Sequence, residues 1–505
     1  MDTTTLTLHT DFGIGEVDRR IFGGFVEHMG RCVYEGLYDP DSIHADGDGI
    51  RADVADALRR LDVPVVRYPG GNFVSGYHWM DGVGPQQDRP TLRELAWQSI
   101  EPNSFGTDEF ISLSDKLGWT PMMSVNLGTG TPEEARNWVE YCNSPAGTRY
   151  ADMRVANGNT EPFNVPLWCL GNEMDGPWQL GHVPAEQYAI RAQQAAKMMK
   201  DVDPSIELVV CGTCMVDLPT YVEWDRQVLD HIGGLADYIS LHRYVDNHAD
   251  DTAEFLGVTN AIDHQIEEMD AVCRFAQAKR YRGRVVPTDR QRRAFLCFDE
   301  WNVWYKADNL NGAGAFAPPL IEERYNLEDA LVVAGFFHSF LRRADVVKIA
   351  NIAQLVNVIA PIQTRGDDLL IQSIFYVFEM FSKRGRGLSL QTSITGPTYS
   401  AGKYGEVRTV DLTALVDGDE LHVFATNRSL DTSAPLEIAL ADGSIAKLVS
   451  AEIVNGTDPK AENSFEDPDV VTAKPFEQIT VANGSASAQL PPLSVTAMTY
   501  ELTSR

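Results

Sequence analysis

The chain has 505 residues, 44% of them hydrophobic, enough for one large core and a smaller second domain. Lys and Arg number 42 against 72 Asp and Glu, a net charge of −30, which disfavours nucleic acid and anionic membranes as partners and leaves a neutral substrate such as a sugar open. The N-terminus shows no basic region followed by an apolar core, and no stretch is apolar for long enough to span a bilayer, so a cytoplasmic protein without a membrane partner is expected.

Thr3 to Thr10 alternates and predicts a strand that pairs within a distant sheet. Ile21 to Val26 reads as a strand ending in Glu27 and His28. Arg51 to Leu61 has helical spacing, with Val54, Ala57, Leu58 and Leu61 on one face. Val63 to Tyr68 is a second strand, followed by a turn from Pro69 to Asn72. Phe105 to Leu117 is helical, and Pro121 to Asn126 is a strand. Thr131 is an N-cap, with Pro132 at the first helical position and Glu133 and Glu134 in the first turn of a helix reaching about Tyr141. Val165 to Leu170 is a short apolar run suited to a buried parallel strand, and Gly171, Asn172 and Glu173 follow it. Pro184 to Met199 is helical. Ile206 to Val210 and Tyr238 to His242 are the fifth and sixth strands. A long helical stretch near Glu254 to Ala278 precedes the seventh, Phe295 to Phe298, which leads into Asp299 and Glu300. Glu328 to Leu341 is an apolar helix, Val347 to Ala353 the eighth strand with Gln354 at its end, and Asp367 to Phe381 a closing helix.

Eight strands interleaved with helices predict an α/β fold, a (β/α)8 TIM barrel with its site at the C-terminal strand ends. Those ends carry Glu27-His28, Arg67, Asn126, Asn172-Glu173, His242-Arg243-Tyr244, Glu300-Trp301 and Gln354. A doubly wound open sheet competes, but it offers one crevice rather than a ring. From about Leu388 helical spacing disappears, and Asp417-Gly418, Asn455-Gly456 and Asn483-Gly484 mark hairpin turns. A β-sandwich is expected there, completed by the N-terminal strand. The predicted division is 1–18 joining the sandwich, 19–385 the barrel and 386–505 the sandwich.

Two strand-end carboxylates facing each other across a cleft are the minimum equipment for glycoside hydrolysis. Glu173 is the candidate general acid/base: Gly171 allows close backbone approach, and Asn172 offers an amide to a sugar hydroxyl. The plainer alternative is a glutamate salt-bridged at a barrel rim. Glu300 is the candidate nucleophile, with Trp301, Trp304 and Tyr305 nearby as faces for a sugar to stack on; the alternative is an acid paired with Arg67 or Arg243. His28, His242 and His248 with Glu27 make no cluster of metal-ligand spacing, so neither metal nor cofactor is expected. The seven cysteines read as free buried thiols, and Cys211 and Cys214, despite their redox-motif spacing, as structural. No phosphate loop accompanies Asp299-Glu300, which excludes an ATPase reading, and Gly128-Thr129-Gly130 lacks the third glycine of a dinucleotide fingerprint.

Six stretches carry a closer likeness: Phe22 to Met29, Val66 to Gly76, Val125 to Gly128, Leu170 to Trp178, Phe298 to Trp304 and Ala353 to Val358. In these the chain closely resembles glycoside hydrolase family 51, the α-L-arabinofuranosidases, over nearly its whole length. The resemblance implies a barrel with a jelly-roll-like sandwich and a retaining, exo-acting enzyme releasing terminal arabinofuranose from arabinan, arabinoxylan or their oligosaccharides. By motif it makes Glu173 the acid/base and Glu300 the nucleophile. It matches Glu27, Arg67, Asn72, Asn172, Tyr244 and Gln354 to the furanose pocket, Trp97 and Trp178 to its aromatic rim, and His242 to a place beside the catalytic pair. Members are often hexamers, which implies a homo-oligomer. The basic link Tyr281 to Arg293 and the Gly/Ala/Pro-rich loop Asp308 to Pro319 are expected to bear on the aglycone. A β-xylosidase or endoglucanase on the same site, or a non-catalytic sugar-binding protein, are the alternatives.

Overall fold

The computed structural model describes residues 2–282, 292–307 and 314–503, so the Tyr281 to Arg293 link and the Asp308 to Pro319 loop lie partly outside the described residues. Eight parallel strands close into a barrel in chain order: Gly23–Phe25, Val65–Tyr68, Thr120–Ser124, Leu167–Leu170, Glu207–Val210, Tyr238–Val245, Phe295–Val303 and Val347–Ile352. The eighth pairs back onto the first through Asn351 and Gly23. Val65, Met122, Leu167, Cys169, Val209, Cys297 and Ile349, each on a barrel strand, form an apolar cluster of their own. It packs the barrel as a core rather than leaving a pore.

The helices follow from amphipathic spacing and caps. Ala52–Leu61 buries Val54, Ala57, Leu58 and Leu61, and Thr131 caps Pro132–Asn143 by accepting from the Glu134 amide at 3.1 Å. Leu327–Arg342 is buried almost all round because it lies between the barrel and the sandwich, where an all-apolar helix belongs.

Several local expectations give way. The first strand is shorter than Ile21 to Val26, because Asp18 caps a 3₁₀ turn over Arg19–Phe22. The Glu254 to Ala278 stretch is two helices, Thr252–Phe255 and Thr259–Tyr281. Asp367 to Phe381 is not one helix: Asp368–Ile371 pairs antiparallel with Ile362–Arg365, turning at Gly366, whose φ is +59°, and the helix is Ser373–Arg384. The helices Arg149–Ala156 and Glu223–Ile232 had no counterpart in the pattern.

The C-terminal region is a seven-stranded sheet facing a five-stranded one. Leu6, Leu412, Val423, Ile438, Leu490 and Met498 are part of the core between them. Thr4–Leu8 pairs antiparallel with Ser393–Thr395 and parallel with Ala434–Leu440, while Gly13–Glu16 joins the other sheet beside Leu388–Leu390. Asp417-Gly418 and Asn483-Gly484 make hairpins. Asn455-Gly456 does not. Strand Ile445–Asn455 runs instead into an excursion that re-pairs only at Ala473–Pro475. The excursion leans on the barrel: the Leu327 amide donates to Ala461 O at 2.9 Å, and Lys460 Nζ lies 2.6 Å from both Glu328 and Asp250.

Candidate active site

The fourth strand ends at Leu170, and the chain leaves it through two left-handed residues, Gly171 (φ +96°) and Glu173 (φ +44°). A glutamate in that conformation is held at a cost, a pattern found where a side chain must be aimed. Glu173 Oε1 lies 3.0 Å from His242 Nδ1, and Oε2 accepts from Trp178 Nε1 at 2.7 Å.

Glu300 is presented differently. The seventh strand does not end before it, as the sequence pattern implied, but continues to Val303 with a register shift between Phe298 and Trp301. Such a bulge re-aims a side chain within a strand. Glu300 Oε1 accepts from Arg67 Nη1 at 2.8 Å and Oε2 from Tyr244 Oη at 3.0 Å. Arg67, not Arg243, is thus its basic partner.

His242 joins the two carboxylates. Its Nδ1 is 3.0 Å from Glu173 and 3.4 Å from Glu300 Oε2, and its Nε2 is 3.1 Å from Asp299 Oδ1. Ligand atoms of Glu173, His242 and Glu300 all lie within 4.8 Å of one another, so a cation fits between them by geometry, although these groups are already engaged with each other and with Arg67, Tyr244 and Trp178.

The remaining expected residues join this network. Arg67 Nη2 donates to Asn172 Oδ1 at 2.7 Å, and Asn172 Nδ2 donates to Asn72 Oδ1 at 3.2 Å. Glu27 accepts from the Phe73 amide and Trp97 Nε1, both at 3.0 Å, and from Gln354 Nε2 at 3.2 Å. Gly71 lets the Asn72 turn pass close over Glu27, where a Cβ would stand 2.7 Å from Oε2. All eleven expected residues therefore line one site. Trp178 is 46% exposed at its edge.

The electrostatics follow from burial and from which charges face each other. Burial works against a charge on His242, yet Glu300 and Asp299 raise it well above the usual imidazole range. Burial would raise Asp299, but Arg67 and then His242 hold it below the usual carboxylate range. Burial raises Glu300, with Glu173 adding to the push, against His242 and Arg67. Burial, then the Glu300 charge, pushes Glu27 up to about 8, although the Phe73 amide, the Trp97 indole and the Arg67 charge pull the other way.

Some residues take other parts. Trp301 is fully buried against Phe336 and Phe340 and offers no sugar platform. Tyr305 turns away to Glu328, while Trp304 packs edge-on against Tyr244 at 5.6 Å. Asn126 closes its own loop, accepting from the amides of Gly128, Thr129 and Gly130. His28 stands behind the pocket, on Tyr68 Oη at 2.9 Å and Glu101 at 3.0 Å. All seven cysteines are free and buried, Cys211 and Cys214 among them. Sequence reasoning missed Asp299, which holds His242 and Arg67, and Ser124, which accepts from Arg67 Nε at 3.1 Å. The one available signal was Asp299 directly preceding Glu300.

A closed (β/α)8 barrel with two carboxylates meeting at its C-terminal mouth is the framework of a glycoside hydrolase. Family models agree in detail: the α-L-arabinofuranosidase 1 domain matches residues 57–265 and the α-L-arabinofuranosidase C-terminal domain residues 299–494. The chain is 43% identical over 480 residues to an intracellular exo-α-(1→5)-L-arabinofuranosidase of Acetivibrio thermocellus, covering 93% of this chain and 94% of that one. It is 42% identical over 500 residues to the Bacillus subtilis intracellular exo-α-(1→5)-L-arabinofuranosidase 1, covering 98% of each. Among solved structures, a family 51 α-L-arabinofuranosidase from Bifidobacterium longum superposes with a TM-score of 0.94 at 36% identity, over 99% of this chain and all of that one. The chain belongs to glycoside hydrolase family 51, the α-L-arabinofuranosidases.

Proposed function

We propose that this chain is a retaining, exo-acting α-L-arabinofuranosidase that cleaves terminal arabinofuranose from arabinan- or arabinoxylan-derived oligosaccharides by double displacement. The observation that carries this reading is the meeting of Glu173 and Glu300 on one imidazole nitrogen, with ligand atoms within 4.8 Å. That closeness suits the separation of about 5–5.5 Å used by retaining enzymes better than the roughly 6.5–9.5 Å of inverting ones.

Glu300 attacks the anomeric carbon while Glu173 protonates the departing oxygen, which leaves an arabinosyl ester on Glu300. Glu173, now a carboxylate, takes a proton from water, and the water displaces Glu300 from the same carbon. Arg67 and Tyr244 fix the aim of Glu300. Glu27, Asn72, Asn172 and Gln354 offer hydrogen bonds to furanose hydroxyls. Glu27 and Gln354, both 2% exposed, close the inner end, which favours removal of a terminal unit.

Residues 19–385 carry this reaction in our reading, and 1–18 with 386–505 form the sandwich. The intracellular names of the relatives support action in the cytoplasm on short imported oligosaccharides. No described helix is long and apolar enough to cross a membrane. A homo-oligomer, a hexamer by family resemblance, is read out by light scattering on the purified protein.

The deciding assay offers nitrophenyl α-L-arabinofuranoside beside the β-xyloside and β-glucoside, with NMR of the first-formed sugar. Turnover of the arabinofuranoside with retained configuration is expected. Inverted product overturns the mechanism, and preference for either control overturns the substrate. Proton transfer and ester chemistry need no metal here, so a chelator is expected to leave the rate unchanged.

A further inference from the structure

A second cleft of about 480 Å³ lies far from the chemistry, between the end of helix Ser373–Arg384 and the outer face of the seven-stranded sheet. Its floor is a row across three neighbouring strands: His422 is opposite Thr499, and Thr499 is opposite Ser450. A register shift between Leu448 and Ser450 marks a bulge at Val449, which is 48% exposed at the cleft. Bulges recur where a side chain is re-aimed.

His422 is only 4% exposed, and its Nε2 has no hydrogen-bond partner. Its Nδ1 is 3.0 Å from Thr499 Oγ1, which also accepts from Arg384 Nε at 3.3 Å. Thr499 Oγ1 can donate to Nδ1 or accept from it, and under either tautomer Nε2 is left with nothing to pair with. A buried polar atom left unpaired is destabilising, so its persistence asks for a partner from outside. Glu420 stands 3.8 Å away, too far to serve. Arg384 is consumed by Glu452 and Lys383 by Glu379. Arg386 has no ion pair among the described residues, and its guanidinium donates only to Lys383 O, at 2.6 Å.

The cleft therefore offers an unpaired ring nitrogen on His422, a free donor on Arg386, free acceptors on Asp417 and Glu420, a patch of apolar surface on Val449, and lining charges of both signs in equal number. An anion needs a surplus of positive charge, and an apolar ligand needs an apolar wall. A polyol needs this mixture, because each hydroxyl both donates and accepts. We propose that the cleft is a second, non-catalytic site for a neutral sugar. That the sugar is a pentose rests on the arabinofuranosidase reading; that it is an uncharged polyol rests on the cleft alone.

The test titrates arabinotriose calorimetrically into the full-length Glu300→Ala variant, which cannot turn it over. Two classes of site are expected. Adding Arg386→Met or His422→Phe should remove one class and leave the other. In the otherwise unaltered enzyme, each substitution should leave hydrolysis of nitrophenyl α-L-arabinofuranoside within about twofold, because the cleft takes no part in the chemistry. Val449→Asp, on the exposed bulge, repeats the test without disturbing the sheet. A single class of site, unaffected by all three substitutions, overturns the proposal. Binding of inorganic phosphate lost in the same variants, with no sugar binding, overturns it in favour of an anion site. Loss of the nitrophenyl activity in the unaltered enzyme would instead indict the reading of the barrel.

Discussion

Glu300 and Glu173 stand on one imidazole, yet the chain presents them in opposite ways. Glu300 rides on a bulged strand, buried, with a hydrogen bond on each oxygen from residues of two other strands. Glu173 sits beyond its strand on a left-handed turn, and one of its partners is a half-exposed indole. A nucleophile must meet one carbon along one line, which rewards rigid support from several directions. An acid/base must reach a leaving oxygen and then a water, giving its proton to the first and regaining one from the second. The contrast supports the roles we propose for them without appeal to any relative.

The largest expected effect is at the buried member. Glu300→Ala removes the covalent intermediate and should lower kcat on the order of 10⁵-fold or more for every leaving group. Azide, having no ester to displace, attacks the substrate itself, so the azide product should be inverted. Glu173→Ala should cost about 10²–10⁴-fold and should depend on the leaving group. A phenol of low pKa leaves without the proton, so the first step survives and the ester accumulates, giving a burst and then a slow steady state. Azide needs no base, and here it should speed turnover and yield the retained product. Azide stereochemistry reversed between the two variants would exchange the roles.

The same contrast shows what could be read from the chain before folding. Glu173 was legible because an apolar strand, a glycine and an amide lead into it. Glu300 was legible as a residue but not as a position: Phe298-Asp299-Glu300-Trp301 looks like a strand end, and only the partner strand shows the register shift that keeps Glu300 inside the ladder. Asp299 and Trp301 went astray for the same reason, since a bulge breaks the alternation by which faces are assigned. Asn455-Gly456 has the composition of a tight turn, but the Asn463 side chain, bonded to the Val471 backbone, gathers an excursion there instead. The barrel itself was legible because eight apolar runs and their helices repeat without needing any one boundary to be right.

Asp299→Asn tests the layer beneath the pair. Asp299 is among the charges that raise His242. A histidine raised on folding lends stability that is full below about pH 6.5 and lost as pH rises through its folded value. Without Asp299 that folded value drops. Both the alkaline loss of activity and the alkaline loss of thermal stability should therefore begin at lower pH than in the unaltered enzyme, with kcat reduced about 10- to 100-fold as Arg67 and His242 lose a support. An unchanged pH profile with lower kcat would reduce Asp299 to packing.

Trp178→Phe should have the smallest effect and bears on Glu173 alone. The indole N–H donates to Oε2 at 2.7 Å, and phenylalanine keeps a ring there while deleting the donor. A hydrogen bond to a charged acceptor is worth about 1.5–3 kcal/mol when shielded; at a half-exposed edge water replaces much of it, leaving roughly 1 kcal/mol, or about fivefold in rate. The bond holds the carboxylate on line for the second step, in which it must take a proton from water, and without it that aim is lost part of the time. With an activated aryl substrate that step limits turnover, so kcat should fall about fivefold while KM for the aryl glycoside falls with it, because the ester accumulates. If Trp178 serves instead only as a face for the aglycone, Trp178→Phe will be silent on the aryl substrate, and Trp178→Ala will raise KM for oligosaccharides with no change in kcat. The variant pair thus separates a residue that tunes the acid/base from one that merely borders it.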